Sequence, residues 1–321
     1  MSANLPEFNL VKPSSIAEAL AAFRDQPHAK FCAGGTDLIP NMRHGLFEVE
    51  TLIDLGQIVG FDAVTINGAD IELGAGISLS KLVGRADIRE RFPAIVKACE
   101  KVAGLSHREA ATLGGNLCLE TRCLYYNQSE WWRKSNDYCL KYQGDICHVA
   151  PRGNRCRAAF CGDLAPAFMV HRAEVELVSL NGARRLPLAD LYVEDGAAHL
   201  ALQPGEILAS VHLPAARARS TYGKICQRGA IDFPQAGVAV SCRKEAGVLQ
   251  FELAFTGTNS KPILLEYREP LGPKTDADSY FEALEKQVQK SVSPQRTTTT
   301  APHYRRLAVA ALAVRLARGL V

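Results

Sequence analysis

The chain has 321 residues with 47% hydrophobic and 22% charged residues, the composition of a globular protein with more than one structural unit. Its net charge of +3 is too small to indicate nucleic-acid or membrane binding by itself. The N-terminal residues lack a basic segment followed by an apolar run, and the apolar C-terminal end is too short to span a bilayer. We therefore expect a cytoplasmic protein, in which the ten cysteines favour thiolate ligation or plain burial over disulfides.

The first part of the chain alternates helix and strand. Ser15 and Glu18 form a capping-box pattern before a helix that Pro27 ends, and its apolar stripe is Ile16, Leu20 and Phe23. A short apolar strand then runs from Lys30 into Gly34-Gly35-Thr36-Asp37. Glycines let backbone N–H groups approach an anion closely, although a plain tight turn is the favoured explanation of an isolated Gly-Gly. The pattern is not the G-x-G-x-x-G fingerprint of Rossmann folds.

A second glycine motif follows a hairpin and a helix. Asn67-Gly68 predicts the hairpin, between strands at 64–66 and 71–73. The helix begins at Pro93 and ends at Gly104, and its core-facing residues are Ile95, Cys99 and Val102. Thr112-Leu113-Gly114-Gly115-Asn116 then repeats the combination of small residues with a threonine. Two such turns together make a site for a ligand with several acceptor oxygens, such as a diphosphate, as good an explanation as two plain turns.

The C-terminal part reads as strands followed by helices. Asn181-Gly182 predicts a hairpin between 173–179 and 184–188, and prolines and glycine indicate a boundary near 215. Beyond it, strands at 236–243 and 248–256 flank a turn at Gly247. A helix over 278–290 and a last helix from about 303 are separated by the polar run Thr297–Thr300, and their predicted buried residues are Phe281, Leu284, Val288, Leu307, Ala311 and Val314.

Six cysteines lie between the second glycine motif and Gly162-Asp163. They are Cys118, Cys123, Cys139, Cys147, Cys156 and Cys161. Cys118 and Cys161 directly adjoin the flanking motifs, so we assign them to that framework. The four inner cysteines have the spacing C-x15-C-x7-C-x8-C, without the C-x-x-C pairs of zinc knuckles. An iron–sulfur cluster, a structural zinc ion and unliganded buried thiols all remain open at this point.

The segment 118–161 also carries aromatic and basic residues. The aromatic residues that would shield a cluster from solvent are Tyr125, Tyr126, Trp131, Trp132, Tyr138 and Tyr142. The segment has seven lysines and arginines but only four acidic residues, and this excess of positive charge would steer an acidic electron carrier such as ferredoxin. An ordinary solvated loop of mixed charge is the alternative.

Five ordered motifs carry a family resemblance over almost the whole chain. They are Ala33–Asp37, Thr112–Asn116, Gly162–Pro166, Glu206–Leu208 and Tyr222–Arg228. In these motifs the chain resembles the FAD-binding medium subunits of the xanthine oxidase family of molybdenum hydroxylases. One departure is Val102, where xanthine oxidases carry an aromatic residue before the second glycine motif. The cysteine-bearing insert is similar to that of the β subunits of 4-hydroxybenzoyl-CoA reductases, because the other relatives have a short loop there.

The resemblance implies an α+β chain with a two-subdomain FAD-binding fold of the PCMH/vanillyl-alcohol-oxidase type. The FAD-binding domain would cover 1–215, with subdomains of about 1–56 and 57–215 and the insert at about 118–160, and a small α+β domain would cover 216–321. The implied FAD-binding residues are Ala29, Lys30, Phe31, Cys32, Ala33, Gly34, Gly35, Thr36, Asp37, Thr112, Gly114, Gly115, Asn116, Asp163, Leu208 and Lys224. The implied 4Fe-4S ligands are Cys123, Cys139, Cys147 and Cys156.

The implied function is electron transfer to molybdenum. FAD and a 4Fe-4S cluster would pass electrons from ferredoxin to partner subunits that carry 2Fe-2S clusters and molybdopterin, assembled as a dimer of heterotrimers. The chemistry would be reductive removal of a phenolic hydroxyl from an aromatic thioester, and no general acid or base is assigned to this chain. Two alternatives stay open: an oxidising hydroxylase whose insert carries zinc or a vestigial cluster, and a non-catalytic module whose insert zinc shapes for protein docking.

Overall fold

We describe the fold from a computed structural model that covers residues 5–26, 28–214, 219–229, 231–245, 248–271 and 275–321. Its strands form three sheets that follow one another along the chain, and helices pack between and upon them. The predicted α+β class is confirmed. Within these ranges, no helix combines the length and the apolar character that crossing a bilayer needs.

The first unit is a small parallel sheet with two helices. Its elements are β1 (Asn9–Val11), α1 (Ile16–Asp25), β2 (Lys30–Cys32), α2 (Leu38–Arg43) and β3 (Thr51–Asp54). The strand order is β1-β3-β2. The Ser15 hydroxyl accepts a hydrogen bond from the Glu18 N–H at 3.2 Å, as predicted, while the Glu18 carboxylate accepts from the Ser14 N–H instead. Pro27, predicted to end α1, lies outside the described residues.

The second unit is an antiparallel sheet with a helical layer. Its elements are β4 (Val64–Asn67), β5 (Asp70–Gly74), α3 (Leu79–Gly84), α4 (Ala86–Arg91), α5 (Pro93–Lys101), α6 (Leu105–Ala110), α7 (Leu113–Leu117), α8 (Glu130–Ser135), α9 (Leu164–Met169), β6 (Glu174–Ser179), β7 (Gly182–Pro187) and β8 (Ile207–Leu213). The strand order is β4-β5-β8-β6-β7, with short 3₁₀ turns at Leu55–Gln57 and Leu188–Leu191.

Both predicted hairpins of this unit are confirmed, with small shifts at element ends. The second turn consists of Leu180 and Asn181, because Ser179 pairs with Gly182 at the start of β7. Helix α5 ends at Lys101, earlier than predicted, because Val102 is extended, with φ −74° and ψ 119°; Ala103 then takes a left-handed φ of 41°. A single backbone residue outside the helical region is enough to end a helix.

The third unit is a four-stranded antiparallel sheet covered by two helices. Its elements are β9 (Arg219–Ile225), β10 (Ala236–Glu245), β11 (Val248–Thr256), β12 (Ile263–Leu271), α10 (Ala277–Ser291) and α11 (Pro302–Arg318). The order is β12-β11-β10-β9. The predicted strands and the helix over 278–290 are confirmed, whereas the predicted turn at Gly247 lies outside the described residues.

Strand β10 is buried on both faces. Val238 and Val240 face α10 and α11, while Ala239 belongs to the core of the second unit. A strand covered on both faces reads as a continuous apolar run, which explains its sequence. The small Ala239 side chain lets the third unit pack closely against the second.

The face predicted for α11 is wrong at two of its three residues. Leu307 is 40% exposed and Ala311 is exposed, while Val314 packs against the core; the buried residues are Arg305, Val309, Ala310, Leu312, Ala313 and Ala317. Apolar residues occur on several faces of the helix, so helical periodicity alone cannot select the face that packs. The choice follows from Arg305, which is 1% exposed and reaches the loops beneath the helix.

Arg305 joins three loops of the third unit through its guanidinium. It donates to the carbonyl oxygens of Gln235 at 3.0 Å and Gln295 at 2.9 Å, and to that of Gly257. A further bond goes to the Thr297 hydroxyl at 3.3 Å. The run 297–300, predicted as a polar linker, is thereby fixed to the helix.

Arg305→Met is expected to lower the unfolding free energy by about 3 kcal/mol, because buried carbonyl acceptors lose their donor. Thermal denaturation followed by circular dichroism measures the change. Arg306→Met, an exposed change on the same helix, is the matched control and should alter stability by less than about 0.5 kcal/mol. Equal melting temperatures for the two variants would contradict this role.

Candidate cofactor sites

A cavity of about 1380 Å³ opens among the three units. Small-molecule sites typically measure about 300–1,000 Å³, so this one suits a large ligand. Its walls come from stretches within 23–61, 75–129 and 200–208, together with Asp163 and the loop at 228–233. Residues from every unit thus line one space.

The first glycine motif forms one wall of this cavity. Each predicted residue from Ala29 to Asp37 lines it. A Cβ atom on Gly34 would overlap the carbonyl oxygen of Ala110, so only glycine lets this loop lie against the end of α6. Gly35 has a φ of +67°, a backbone conformation that residues with a side chain rarely adopt. The motif therefore holds the loop flat along the cavity.

The second glycine motif faces the same cavity. Thr112, Gly114, Gly115 and Asn116 all line it, as predicted. The Thr112 hydroxyl caps α7 by accepting from the Gly115 N–H at 3.1 Å. The Asn116 side-chain oxygen accepts from the Leu164 N–H at 3.1 Å, which fixes Asp163 beside the motif.

Asp163 anchors a buried polar network at the cavity wall. Its carboxylate accepts a hydrogen bond from the Tyr222 hydroxyl at 2.7 Å and pairs with the Lys224 ammonium at 3.2 Å. Burial raises the pKa of Asp163 to about 6, although Lys224 and Tyr222 favour the carboxylate. Lys224 contacts Asp163 but does not line the cavity, so its predicted contact with FAD stays a prediction. Leu208 lines the cavity.

The cysteine insert begins and ends at one point. Arg122 and Ala159 exchange two backbone hydrogen bonds, of 2.7 and 2.8 Å. Beyond this neck the insert is fastened to each unit: Tyr126 donates to the Leu46 carbonyl at 3.1 Å, the Gly196 N–H donates to the Cys156 carbonyl at 3.0 Å, and the Leu124 N–H donates to the Thr297 carbonyl at 2.8 Å. The flanking motifs therefore meet across the neck as though no insert were present.

The four inner cysteines line one small internal cavity, which Tyr125, Tyr126, Lys141 and His148 also line. All four are buried, with at most 9% of each residue exposed. Burial raises the pKa of Cys123 to about 12 and that of Cys156 to about 11. A buried thiolate therefore needs a nearby positive charge, which a metal centre supplies.

The spacing of the sulfur atoms bears on which metal centre fits. Among the described residues, Glu72, Glu176 and His212 are the sole set of three potential ligands whose atoms lie within 4.8 Å of one another. No three of the cysteine sulfurs are therefore that close. Tetrahedral zinc with bonds of about 2.3 Å holds its sulfurs about 3.8 Å apart. In every set of three of these sulfurs at least one pair is thus farther apart than in a tetrahedral zinc site, and the metal centre that the four cysteines hold stays a prediction.

The loop around Cys139 is unusual in its backbone. Asp137, Tyr138 and Gln143 all have positive φ, between 53° and 57°. Such conformations cost about 1–3 kcal/mol each and concentrate at functional sites. Of the predicted shielding aromatics, Tyr125 and Tyr126 line the cysteine cavity, whereas Trp131 is 69% exposed.

Most of the positive charge of the insert is paired. Arg122 pairs with Asp37, Arg133 with Glu130 at 2.6 Å, Lys141 with Glu120 at 2.5 Å, and Arg155 with Glu194 at 3.2 Å. The exposed cations that remain include Lys134 and Arg152. This pairing favours the ordinary mixed-charge surface, and docking of an acidic carrier here stays a prediction.

Arg122, Glu120 and Phe233 are among the residues that line the large cavity without having been predicted. Arg122 lies 4.5 Å from the ring centre of Phe233, and its Nε atom is buried without a hydrogen-bond partner. Glu120 lines the cavity two residues earlier. Both Arg122 and Glu120 lie within three residues of Cys123, and this proximity was the signal that the sequence offered for them. Nothing in the sequence indicated Phe233, which the loop after β9 brings into place.

Comparisons with known proteins agree with this arrangement. Residues 6–216 match the family described as FAD binding domain in molybdopterin dehydrogenase. The aldehyde oxidoreductase FAD-binding subunit of Escherichia coli K12 is 30% identical over 273 residues, covering 81% of this chain and 84% of the relative. The xanthine dehydrogenase FAD-binding subunit of Escherichia coli O157:H7 is 22% identical over 300 residues, covering 92% and 89%.

The same fold occurs in a solved structure. A chain of carbon monoxide dehydrogenase from Hydrogenophaga pseudoflava, in a form lacking the Mo-pyranopterin moiety of its cofactor, superposes with a TM-score of 0.78 at 19% identity. The match covers 99% of this chain and 98% of that one. The predicted fold class is thereby confirmed.

Gly34→Ala is expected to reduce the FAD retained on purification by more than about tenfold, because the new Cβ displaces the loop from Ala110 by steric overlap. Flavin absorbance per protein measures the loss. Gly84→Ala is the matched control, since a Cβ there meets nothing within 4 Å. Full flavin content in the Gly34 variant would show that the loop does not hold FAD.

Proposed function

Because this chain belongs to the family of FAD-binding domains in molybdopterin dehydrogenases, we propose that it is the electron-transfer subunit of a reductive member of that family. It is an FAD-binding subunit of a molybdenum-hydroxylase-type enzyme. The proposed reaction converts 4-hydroxybenzoyl-CoA to benzoyl-CoA, with two electrons and two protons consumed and the hydroxyl released as water. Ferredoxin would be the electron donor.

One observation carries this proposal: four buried cysteines line a second cavity next to the large one. An oxidising enzyme whose electrons only leave through the flavin does not need such a centre. A one-electron centre beside the flavin gives electrons from a single-electron carrier a way in. The proposed centre is a 4Fe-4S cluster held by Cys123, Cys139, Cys147 and Cys156, which supply the four thiolates that such a cluster needs.

The residues present fit both cofactors. The cluster would accept electrons singly and FAD would hold one or two, which is the redox chemistry the chain itself lacks. The glycine motifs would bind the diphosphate through backbone N–H groups, with Thr36 as a hydroxyl donor. Asp163 would meet another polar part of FAD while Tyr222 and Lys224 hold its carboxylate in place. Tyr125 and Tyr126 would exclude water from the cluster.

Partner subunits complete the proposed enzyme. A large subunit with molybdopterin and a small subunit with 2Fe-2S clusters would receive the electrons, in an assembly of two heterotrimers. A relative is named as the medium chain of carbon monoxide dehydrogenase, which supports a multi-subunit assembly. The substrate would bind to the molybdenum subunit, so this chain requires no acid–base residue.

The names of the relatives favour one rival. Xanthine dehydrogenase, aldehyde oxidoreductase and carbon monoxide dehydrogenase are names of oxidising enzymes, and in an enzyme of that kind the insert would hold zinc or a vestigial cluster. The two functions differ in direction of electron flow and in the metal of the insert. Activity separates them: the reductive complex forms benzoyl-CoA from 4-hydroxybenzoyl-CoA with reduced ferredoxin, and no product with the metal-complete complex would refute the proposed reaction.

Metal analysis of the anoxically purified protein tests the cluster. About four irons and four acid-labile sulfides per flavin are expected, whereas zinc without sulfide would refute it. Cys139→Ser should remove the iron and leave FAD bound, because the cysteine cavity is separate from the flavin cavity. Cys226→Ser, outside the insert, is the control and should retain both cofactors. If Cys118→Ser or Cys161→Ser alone abolished the cluster, the choice of ligands would be wrong.

A further inference from the structure

A single ion pair bridges the two cavities, and we infer that it draws the reduction potentials of the two redox centres together. Lys141 lines the cysteine cavity and Glu120 lines the large one. Their charged groups meet at 2.5 Å. The inference rests on the proposed function, since it requires a cluster on one side and a flavin on the other.

Lys141 is held rigidly on the cluster side. Its side chain is 5% exposed. The ammonium also donates to the Thr121 hydroxyl at 2.5 Å and lies 4.6 Å from the ring centre of Tyr126, another residue lining the cysteine cavity. Its charge acts on Cys156. A buried charge is screened much less by water and salt than an exposed one.

Glu120 is held as firmly on the flavin side. Its carboxylate accepts from the Thr121 N–H at 2.9 Å and from Lys141. The imidazole of His199 lies 3.9 Å away, and its other nitrogen is 2.9 Å from the Leu119 carbonyl. Burial lowers the pKa of His199, so the carboxylate faces a neutral ring and Lys141 is its cationic partner.

The orientation of the pair determines the sign of its effect. Reduction adds negative charge to a centre, so a nearby cation raises its reduction potential and a nearby anion lowers it. Lys141 points to the cysteine cavity, which raises the cluster potential. Glu120 points to the large cavity, which lowers the flavin potential. In the proposed path electrons enter at the cluster, which is therefore the centre of lower reduction potential. The pair then narrows the difference between the two reduction potentials and keeps electron exchange between the cluster and the flavin reversible.

Several other charges near the two cavities are paired outside this axis, and Lys30, which lines the large cavity, lies 4.8 Å from the ring centre of Phe47. Arg122 pairs with Asp37 on the flavin side, and Arg133 pairs with Glu130 and donates to the Gly45 carbonyl. Within the part of the chain that the structure describes, only Lys141 and Glu120 form an ion pair between a residue of one cavity wall and a residue of the other. Both residues would act on the redox centres through their charge and would not take part in the reaction.

The test is a redox titration of the complete complex with three variants. Lys141→Met should lower the cluster potential, Glu120→Gln should raise the flavin potential, and the double variant should do both, widening the gap. Each change is expected to alter the oxidised-to-reduced ratio at fixed potential about tenfold, or about 59 mV for a one-electron centre. Electron paramagnetic resonance follows the cluster and visible absorbance follows the flavin.

Two controls separate charge from structure. Lys134→Met removes an exposed lysine of the same insert and should leave both potentials unchanged. Lys141→Arg keeps the charge and should preserve the cluster potential. If Lys141→Met loses its cluster, Glu120→Gln and the flavin potential carry the test alone. Unshifted potentials in complexes with full iron and sulfide would overturn this inference only, whereas wild-type protein without iron and sulfide would overturn the proposed function itself.

Discussion

The backbone pairing of Arg122 with Ala159 is the constraint on which the arrangement of both cavities depends. Two hydrogen bonds close the insert at its base, and the bond from the Leu164 N–H to Asn116 holds the flanking motifs together just outside it. An insert whose ends are held together can extend from a surface without separating the residues that flank it, and the entropic cost of closing it grows only slowly with its length. The large cavity therefore keeps its full wall while the insert adds a second one.

The neck also explains why a charged residue of one cavity wall forms an ion pair with a charged residue of the other. Glu120, Thr121 and Arg122 run through it, with Glu120 and Arg122 on the wall of the large cavity and Lys141 reaching Glu120 from the insert. Side chains that are buried, paired and fixed by several hydrogen bonds keep their charges in place when nearby centres change redox state. The position of the insert, which brings Lys141 to Glu120, therefore bears on its proposed function as much as its four inner cysteines do.

Local chemistry made several elements predictable. Ser15, Asn67-Gly68 and Pro93 act within a few residues, so the helix starts and the hairpin they indicate appear where expected. The buried face of α11 was not predictable, since its apolar residues occur on several faces and Arg305 selects one of them through loops distant in sequence. The same holds for Phe233, which reaches the large cavity only because β9 and β10 place its loop there.

By itself the sequence determined the glycine turns, the four inner cysteines and the family, because each depends on residue types at fixed spacing. Tertiary structure alone decided that the glycine motifs share one cavity, that Lys224 stands behind Asp163, and that the basic residues of the insert are mostly paired. Those facts depend on distances between segments that lie far apart along the chain. Such distances follow from packing, which no local pattern encodes.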